Sequence, residues 1–206
     1  DAHSFWPWRL GREATLFDVE KLTYASLIKA IRTGEGLAAT IETPPEYGKY
    51  HFDGHRVCNF SSSPAETKKL EGICPVCHKP LIIGVDYRIE ELKKETETPL
   101  EKRKPFYKLL PLHELIALTL AVAVESKRVW NVYNQLIEHF KNEFFILLHA
   151  TKIELSTVLT DSLLIDLILQ NRAGTIAVKP GYDGMYGEPL FSKRPVVKKI
   201  GQKKLF

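Results

Sequence analysis

His55-Arg56-Val57-Cys58 and Cys74-Pro75-Val76-Cys77 set two His/Cys pairs, each with an x2 spacing, on either side of one short segment, and together they use every cysteine in the chain. No other feature restricts the fold as much. In an x2 knuckle one tight turn points two soft ligands the same way, and two such turns can close around a single tetrahedral ion. The pattern predicts a small metal-stapled module in which His55, Cys58, Cys74 and Cys77 hold a structural zinc. His51 and His78 are also within reach, so the fourth ligand is less defined than the three sulfurs. The competing reading is three inert core thiols, but Cys-Pro-x-Cys two residues after Gly72 is a poor way to build core packing. A disulfide reading leaves one cysteine over in a chain that otherwise looks intracellular.

Length and composition bound the rest. At 206 residues, 44% hydrophobic and 26% charged, the chain suits one large domain or two to three small ones of ordinary globular type. The opening Asp1-Ala2-His3-Ser4-Phe5-Trp6-Pro7-Trp8 has neither the basic nor the apolar segment of a secretory signal, and a cytoplasmic protein is expected. It also lacks an initiator methionine, so a piece of something longer is expected. Leu115 to Val124 is the most membrane-like stretch. It is too short to span and charged on both flanks, so it predicts a buried helix and no membrane partner. A single methionine with frequent Lys and Glu leans toward a thermophilic source. From Lys193 to Phe206 there are six basic residues and no acidic one, which suits phosphate or an acidic partner. A solvated terminus is the alternative.

Along the chain, Tyr24, Leu27, Ile28 and Ile31 have helical spacing, and Gly34 and Gly36 stop that helix. Leu37–Thr43 reads as a strand, and Lys49–Phe52 as a second extended run after the Pro44-Pro45 turn. Ser63-Pro64-x-Glu66 begins a short helix that ends near Gly72, and Leu81–Ile83 leaves the second knuckle as a strand. Lys93–Pro105 is a charged linker or exposed loop. Three helices follow: Leu112–Val124, apolar nearly all round; Lys127–Phe145; and Leu155–Gln170, with Leu155, Leu159, Leu163 and Leu167 on one face and Gly174 as its cap. Lys179-Pro180-Gly181-Tyr182-Asp183-Gly184-Met185-Tyr186-Gly187 reads in two ways. It presents tyrosine rings beside open backbone N–H groups for bases and phosphates, or it is a hairpin whose tyrosines cover the core.

Several longer stretches carry a resemblance. Asp1-Ala2-His3-Ser4, Pro7-Trp8-Arg9-Leu10-Gly11-Arg12-Glu13, Thr40-Ile41-Glu42 and Gly48-Lys49-Tyr50-His51-Phe52-Asp53-Gly54-His55-Arg56 belong to the set. So do Cys74-Pro75-Val76-Cys77, Leu110-Pro111-Leu112-His113-Glu114 and Pro180–Gly187. Together they resemble the C-terminal half of endonuclease Q, an archaeal and sporadically bacterial DNA-repair nuclease family built on a polymerase-and-histidinol-phosphatase (PHP) domain. The resemblance implies an α+β, multi-domain chain. Its parts would be the tail end of a PHP barrel over 1–36, a small β-rich zinc-binding domain over 37–97, a helical DNA-binding domain over 105–178, and a Gly/Tyr loop and basic tail over 179–206. It implies an enzyme that nicks DNA on the 5′ side of uracil, hypoxanthine, xanthine or an abasic site.

In that family pattern Asp1 and His3 match the last ligands of a Zn/Mg PHP centre, and His55, Cys58, Cys74 and Cys77 match the zinc ligands. The earlier PHP motifs are absent, so this stretch alone is expected not to cleave DNA. Arg9, Arg12 and Arg56 are candidate phosphate contacts, and Tyr182 and Tyr186 are candidate stacking rings. Where such knuckles usually carry glycine after the second cysteine, this chain has His78, which keeps that residue as a ligand or a DNA-facing side chain. Gln202-Lys203-Lys204-Leu205-Phe206 opens like a sliding-clamp-binding box but supplies only Phe206 of the two aromatics a full box needs. The alternative class is a non-catalytic zinc-containing module that binds nucleic acid or protein.

Overall fold

The computed structural model describes residues 6–8, 10, 12–93 and 104–190. Asp1, His3, Arg9, most of the charged stretch and the basic tail with its Gln202–Phe206 segment lie outside the described residues. The described chain mixes helix and strand, as an α+β chain should.

The first helix, α1 (Tyr24–Thr33), forms where its periodicity predicts. Thr23 and Ser26 cap it reciprocally, Ser26 N–H on Thr23 Oγ1 at 3.1 Å and Thr23 N–H on Ser26 Oγ at 2.9 Å. Gly34, at φ 75°, ends it in the left-handed conformation glycine adopts without strain. On either side lie β1 (Ala14–Phe17) and β2 (Leu37–Glu42), paired antiparallel. The third strand of this sheet, β5 (Phe106–Lys108), comes from far along the chain and pairs parallel to β2, Ile41 opposite Tyr107. Residues 43–105 therefore leave the sheet after β2 and return to its other edge. One sheet joins three stretches that the sequence assigns to separate domains.

Within that excursion sit the hairpin β3 (Asp53–His55) and β4 (Phe60–Ser62), then α2 (Pro64–Lys69) and α3 (Val85–Leu92). Helix α2 starts at the expected Ser-Pro, with Glu66 accepting from both the Ser63 N–H and hydroxyl at 2.9 and 3.0 Å. Lys49–Phe52 turns rather than extends. Leu81–Ile83 pairs only through Ile82, which bridges Gly54, and α3 begins two residues later.

The helical part has five helices where three are expected: α4 (Leu112–Leu120), α5 (Lys127–Phe140), α6 (Glu143–Leu148), α7 (Lys152–Val158) and α8 (Ser162–Arg172). Ala121, at φ 53°, ends α4 early. The second expected helix breaks at Lys141 (φ 70°), and the Asn142 side chain then caps α6 through the Phe145 N–H at 2.8 Å. The third breaks at extended Leu159, and Asp161 caps α8 through the Leu163 N–H at 2.9 Å. These breaks let short helices wrap one core, which includes Leu112, Leu115, Ile116, Leu136, Ile146, Leu155 and Ile168, with Ile41 of β2 against it.

Two polar side chains of α8 are tied to main chain beside that core. Asn171 accepts from Leu110 N–H at 2.9 Å and donates to Leu110 C=O at 3.0 Å, fixing the turn between β5 and α4. Arg172 donates to the carbonyls of Leu147, Ile146 and Ala150 at 2.8–2.9 Å, completing the end of α6. Asn171→Ala strands both Leu110 groups and is expected to cost about 2 kcal/mol in urea unfolding. An unchanged midpoint would show that water replaces the amide without loss.

A candidate metal knuckle latched by a hairpin

Strand β3 delivers His55 to a tight turn over Arg56–Cys58. Asn59, at φ 49°, reverses the chain into β4. The second knuckle leaves α2 through Gly72 at φ 73°, and its loop closes with Cys74 N–H on Lys79 C=O at 2.8 Å and His78 N–H on Cys74 C=O at 2.9 Å. Gly54 and Ile82 then exchange two main-chain hydrogen bonds, at 2.9 and 2.8 Å, binding the exit of the second knuckle to the strand that carries the first.

As a result the ligand atoms of His55, Cys58, Cys74 and Cys77 all lie within 4.8 Å of one another, with Cys77 Sγ 3.2 Å from His55 Nδ1. A tetrahedral zinc with Zn–S of ~2.3 Å and Zn–N of ~2.0 Å needs sulfur and nitrogen ~3.5 Å apart, so the cluster is at the right scale. Its three thiols and one imidazole form a soft donor set of the kind that favours zinc over hard cations. Burial opposes ionisation of Cys74, but N–H donors from Cys77 and Val76 outweigh it and bring the thiol down to about 6. Cys58 is pushed up to about 11, first by desolvation and then by the neighbouring Cys77 and Cys74. Neither alternative fourth ligand belongs to the cluster. His51 stacks on Phe52 at 5.4 Å, and His78 is exposed on the left-handed turn at φ 59°.

Past the helical core, β6 (Val178–Lys179) and β7 (Glu188–Pro189) pair antiparallel and frame the Gly/Tyr loop. This is a hairpin, docked on the knuckle module rather than on the helical core. Gly181, Gly187 and Gly184 donate their N–H groups to the carbonyls of Glu46, Tyr47 and Lys49 at 2.9, 3.1 and 3.0 Å, and Phe52 N–H returns to Gly181 C=O at 2.9 Å. The glycine amides read from sequence as open to phosphate are thus committed within the protein. Glycine is required at 181 because a Cβ there would sit 2.2 Å from Gly48 O and 2.5 Å from Met185 O, both backbone atoms. Gly181→Ala is expected to loosen this docking by about 1–3 kcal/mol. Faster hydrogen exchange at the amides of Gly184 and Gly187 would report it, and unchanged exchange would refute it.

Of the two loop tyrosines, Tyr182 is only 5% exposed. Its ring lies where a Gly54 side chain would go, and its hydroxyl donates to Asn59 Oδ1 at 3.0 Å. In this geometry it is a strut between hairpin and knuckle, with no ring face left for a base. Tyr186 is 48% exposed and keeps an outward ring. Arg56 is exposed at the same place, its main-chain N–H bound by Asp183 Oδ2 at 2.6 Å. Arg12 lies apart: it donates to Thr43 Oγ1 at 3.1 Å and lines a cleft with Trp8, Leu110 and Glu143. The structure therefore gathers Arg56, Tyr182 and Tyr186 about the knuckle and leaves Arg12 elsewhere. Tyr50 and Lys49, absent from the sequence-based list, join the first group. Their place beside the hairpin follows from a docking across the whole helical part of the chain, which no local pattern reports.

The family model described as MJ0043 C-terminal domain matches residues 111–175, the helical part. The uncharacterized protein MJ0043 of Methanocaldococcus jannaschii is 32% identical over 201 residues, 95% of this chain and 25% of that protein. Among solved structures, the architecture is shared with DNA endonucleases. The lesion-specific endonuclease PfuEndoQ from Pyrococcus furiosus matches 92% of this chain and 47% of its own, at a TM-score of 0.81 and 32% identity. Endonuclease Q in complex with a 27-mer duplex substrate bearing an abasic lesion at the active site matches 97% of this chain and 51% of its own, at 0.80 and 30%. The chain is similar to endonuclease Q over nearly its whole length and spans about half the length of these solved proteins. Among the described residues no helix is long and apolar enough to cross a membrane.

Proposed function

We propose that this chain is the DNA-gripping half of a repair endonuclease that nicks 5′ of deaminated bases and abasic sites. The observation that carries the reading is the similarity, over more than nine-tenths of the chain, to lesion-directed endonucleases, one of them bound to damaged duplex. Zinc on His55, Cys58, Cys74 and Cys77 holds the knuckle module, and the helical part (105–178) forms the second DNA-binding unit. Residues 1–36 and 37–97 serve as the end of the PHP domain and the zinc domain, joined through the shared sheet. Arg9, Arg12 and Arg56 contact phosphate, and Gln202–Phe206 is a docking segment for a sliding clamp. Asp1 and His3 complete a divalent-metal centre whose other ligands come from outside this chain. Ions in such a centre supply an activated water and stabilise charge on the phosphate.

The soft-ligand cluster is a scaffold rather than that centre, because four protein ligands leave no open position for water. A nicking assay on duplexes containing uracil, hypoxanthine or an abasic site tests the proposal. The full-length gene product is expected to cut 5′ of each lesion, and residues 1–206 alone are expected to cut none. Absence of lesion-dependent incision by the full-length protein would overturn the enzyme reading and leave a binding module. Incision by residues 1–206 would overturn the division of labour.

A further inference from the structure

The hairpin that latches the knuckle turns a compact set of side chains outward. Tyr50 is 51% exposed, Tyr186 48%, and Met185, Lys49 and Arg56 are exposed with them. They are contiguous. Lys49 Nζ lies 4.7 Å from the Tyr186 ring centroid, and Tyr47 flanks the same ring at 6.0 Å. Gly184 lies between the other two, since a Cβ on it would be 3.6 Å from Tyr50 Oη and 3.4 Å from Arg56 Nη1.

The platform is also held in place. The Tyr50 and His51 carbonyls accept from Val85 and Asp86 N–H at 2.7 and 3.0 Å, at the start of α3, and Asp53 Oδ1 accepts from Gly84 N–H at 2.6 Å. The backbone beneath Tyr50 is thus tied to a helix terminus, and that beneath Tyr186 to residues 46–52. Rings held this way lose little entropy on contact with a flat ligand.

We infer that Tyr50, Tyr186, Lys49 and Arg56 form a site for unpaired nucleotides of a DNA strand, the rings stacking on bases and the cations meeting the flanking phosphates. This deepens the DNA reading above and rests on it. Exposed rings beside Lys and Arg fit an opened strand better than a duplex, because paired bases hide their faces inside the stack. Tyr182 takes no part, its ring being buried.

The test is fluorescence anisotropy of the full-length protein with an undamaged 20-nucleotide oligothymidylate and with an undamaged duplex of equal length, at one fixed salt concentration. Tyr50→Ala and Tyr186→Ala are each expected to weaken single-strand binding by about fivefold or more, as loss of one stacked base does. Tyr50→Phe and Tyr186→Phe keep the ring and stay near wild type, as does Tyr24→Ala, which removes an exposed ring on α1. Duplex affinity stays within about twofold for all the tyrosine variants. In a salt titration with the same oligothymidylate, Lys49→Ala and Arg56→Ala weaken binding and each reduces the salt slope by about one phosphate contact. Unchanged single-strand affinity in both alanine variants, with duplex binding intact, overturns this inference and leaves the DNA reading standing. Failure to bind either nucleic acid overturns both.

Discussion

Replacement of Cys74 by alanine is expected to abolish metal binding and unfold the module between residues 52 and 92. That module has little else to hold it. Its strands β3 and β4 are three residues each, α2 has six and α3 eight, and none of its helices is long enough to persist alone. A structural zinc contributes about 10–16 kcal/mol of folding-coupled binding energy, comparable with the whole stability of a domain. Metal analysis should fall from about one ion per chain to none, with loss of amide protection in both knuckles. Protection at residues 181–187 should fall too, because Tyr182 and Asp183 anchor the hairpin on Asn59 and Arg56 of that module. Helices α4–α8 have their own core and should remain folded. Retention of the metal and of an unchanged melting temperature in Cys74→Ala would sink the four-ligand assignment. Since the ligands bind as thiolates and neutral imidazole, acid should release the ion in the wild type.

The second large effect concerns His113. Its ring is buried against Tyr133 at 3.8 Å and Trp130 at 4.5 Å, with Trp8 at 6.1 Å, and among the described residues neither ring nitrogen has a hydrogen-bond partner. Burial pushes it down to about 4 from the ordinary 6.5. Between those values the unfolded chain takes up a proton that the folded chain refuses. Stability is therefore full above 6.5, declines as the pH falls toward 4, and levels off below. The gap corresponds to about 3 kcal/mol. His113→Phe keeps the ring stack and removes the proton, so its melting temperature should fall less than the wild type's over that window. Acid release of metal is shared by both proteins and drops out of the comparison. Parallel curves from pH 7 to 4 would contradict the assignment.

The sequence reveals what depends on local chemistry. The two knuckles, the Thr23 and Ser63 helix starts, the Gly34 stop and the apolar α4 can all be read from residues within a few positions of one another. The broken helices were readable in part. Asn142 and Asp161 are cap residues inside the second and third expected helices, where a strong periodicity hides them, and Thr151-x-x-Glu154 is a capping box just ahead of the third. Helix α3 is harder, because Val85 and Ile89 follow Leu81–Ile83 and extend an apparent strand. The choice between the two loop tyrosines could not be made locally. The bare Cα of Gly54, on the far side of the helical part in sequence, decides which ring is buried.

That last contact also bears on how the protein is made. The second knuckle is complete at Cys77, while the hairpin that docks beside the first is not finished until Gly187, after all five helices of the core. At roughly 5–20 residues per second, a ribosome takes about 5–20 s to cover that distance. All four candidate ligands are therefore made well before the hairpin that docks on Gly54, Arg56 and Asn59 exists. The knuckle has to form its turns without that support and gains it only when residues 181–187 arrive.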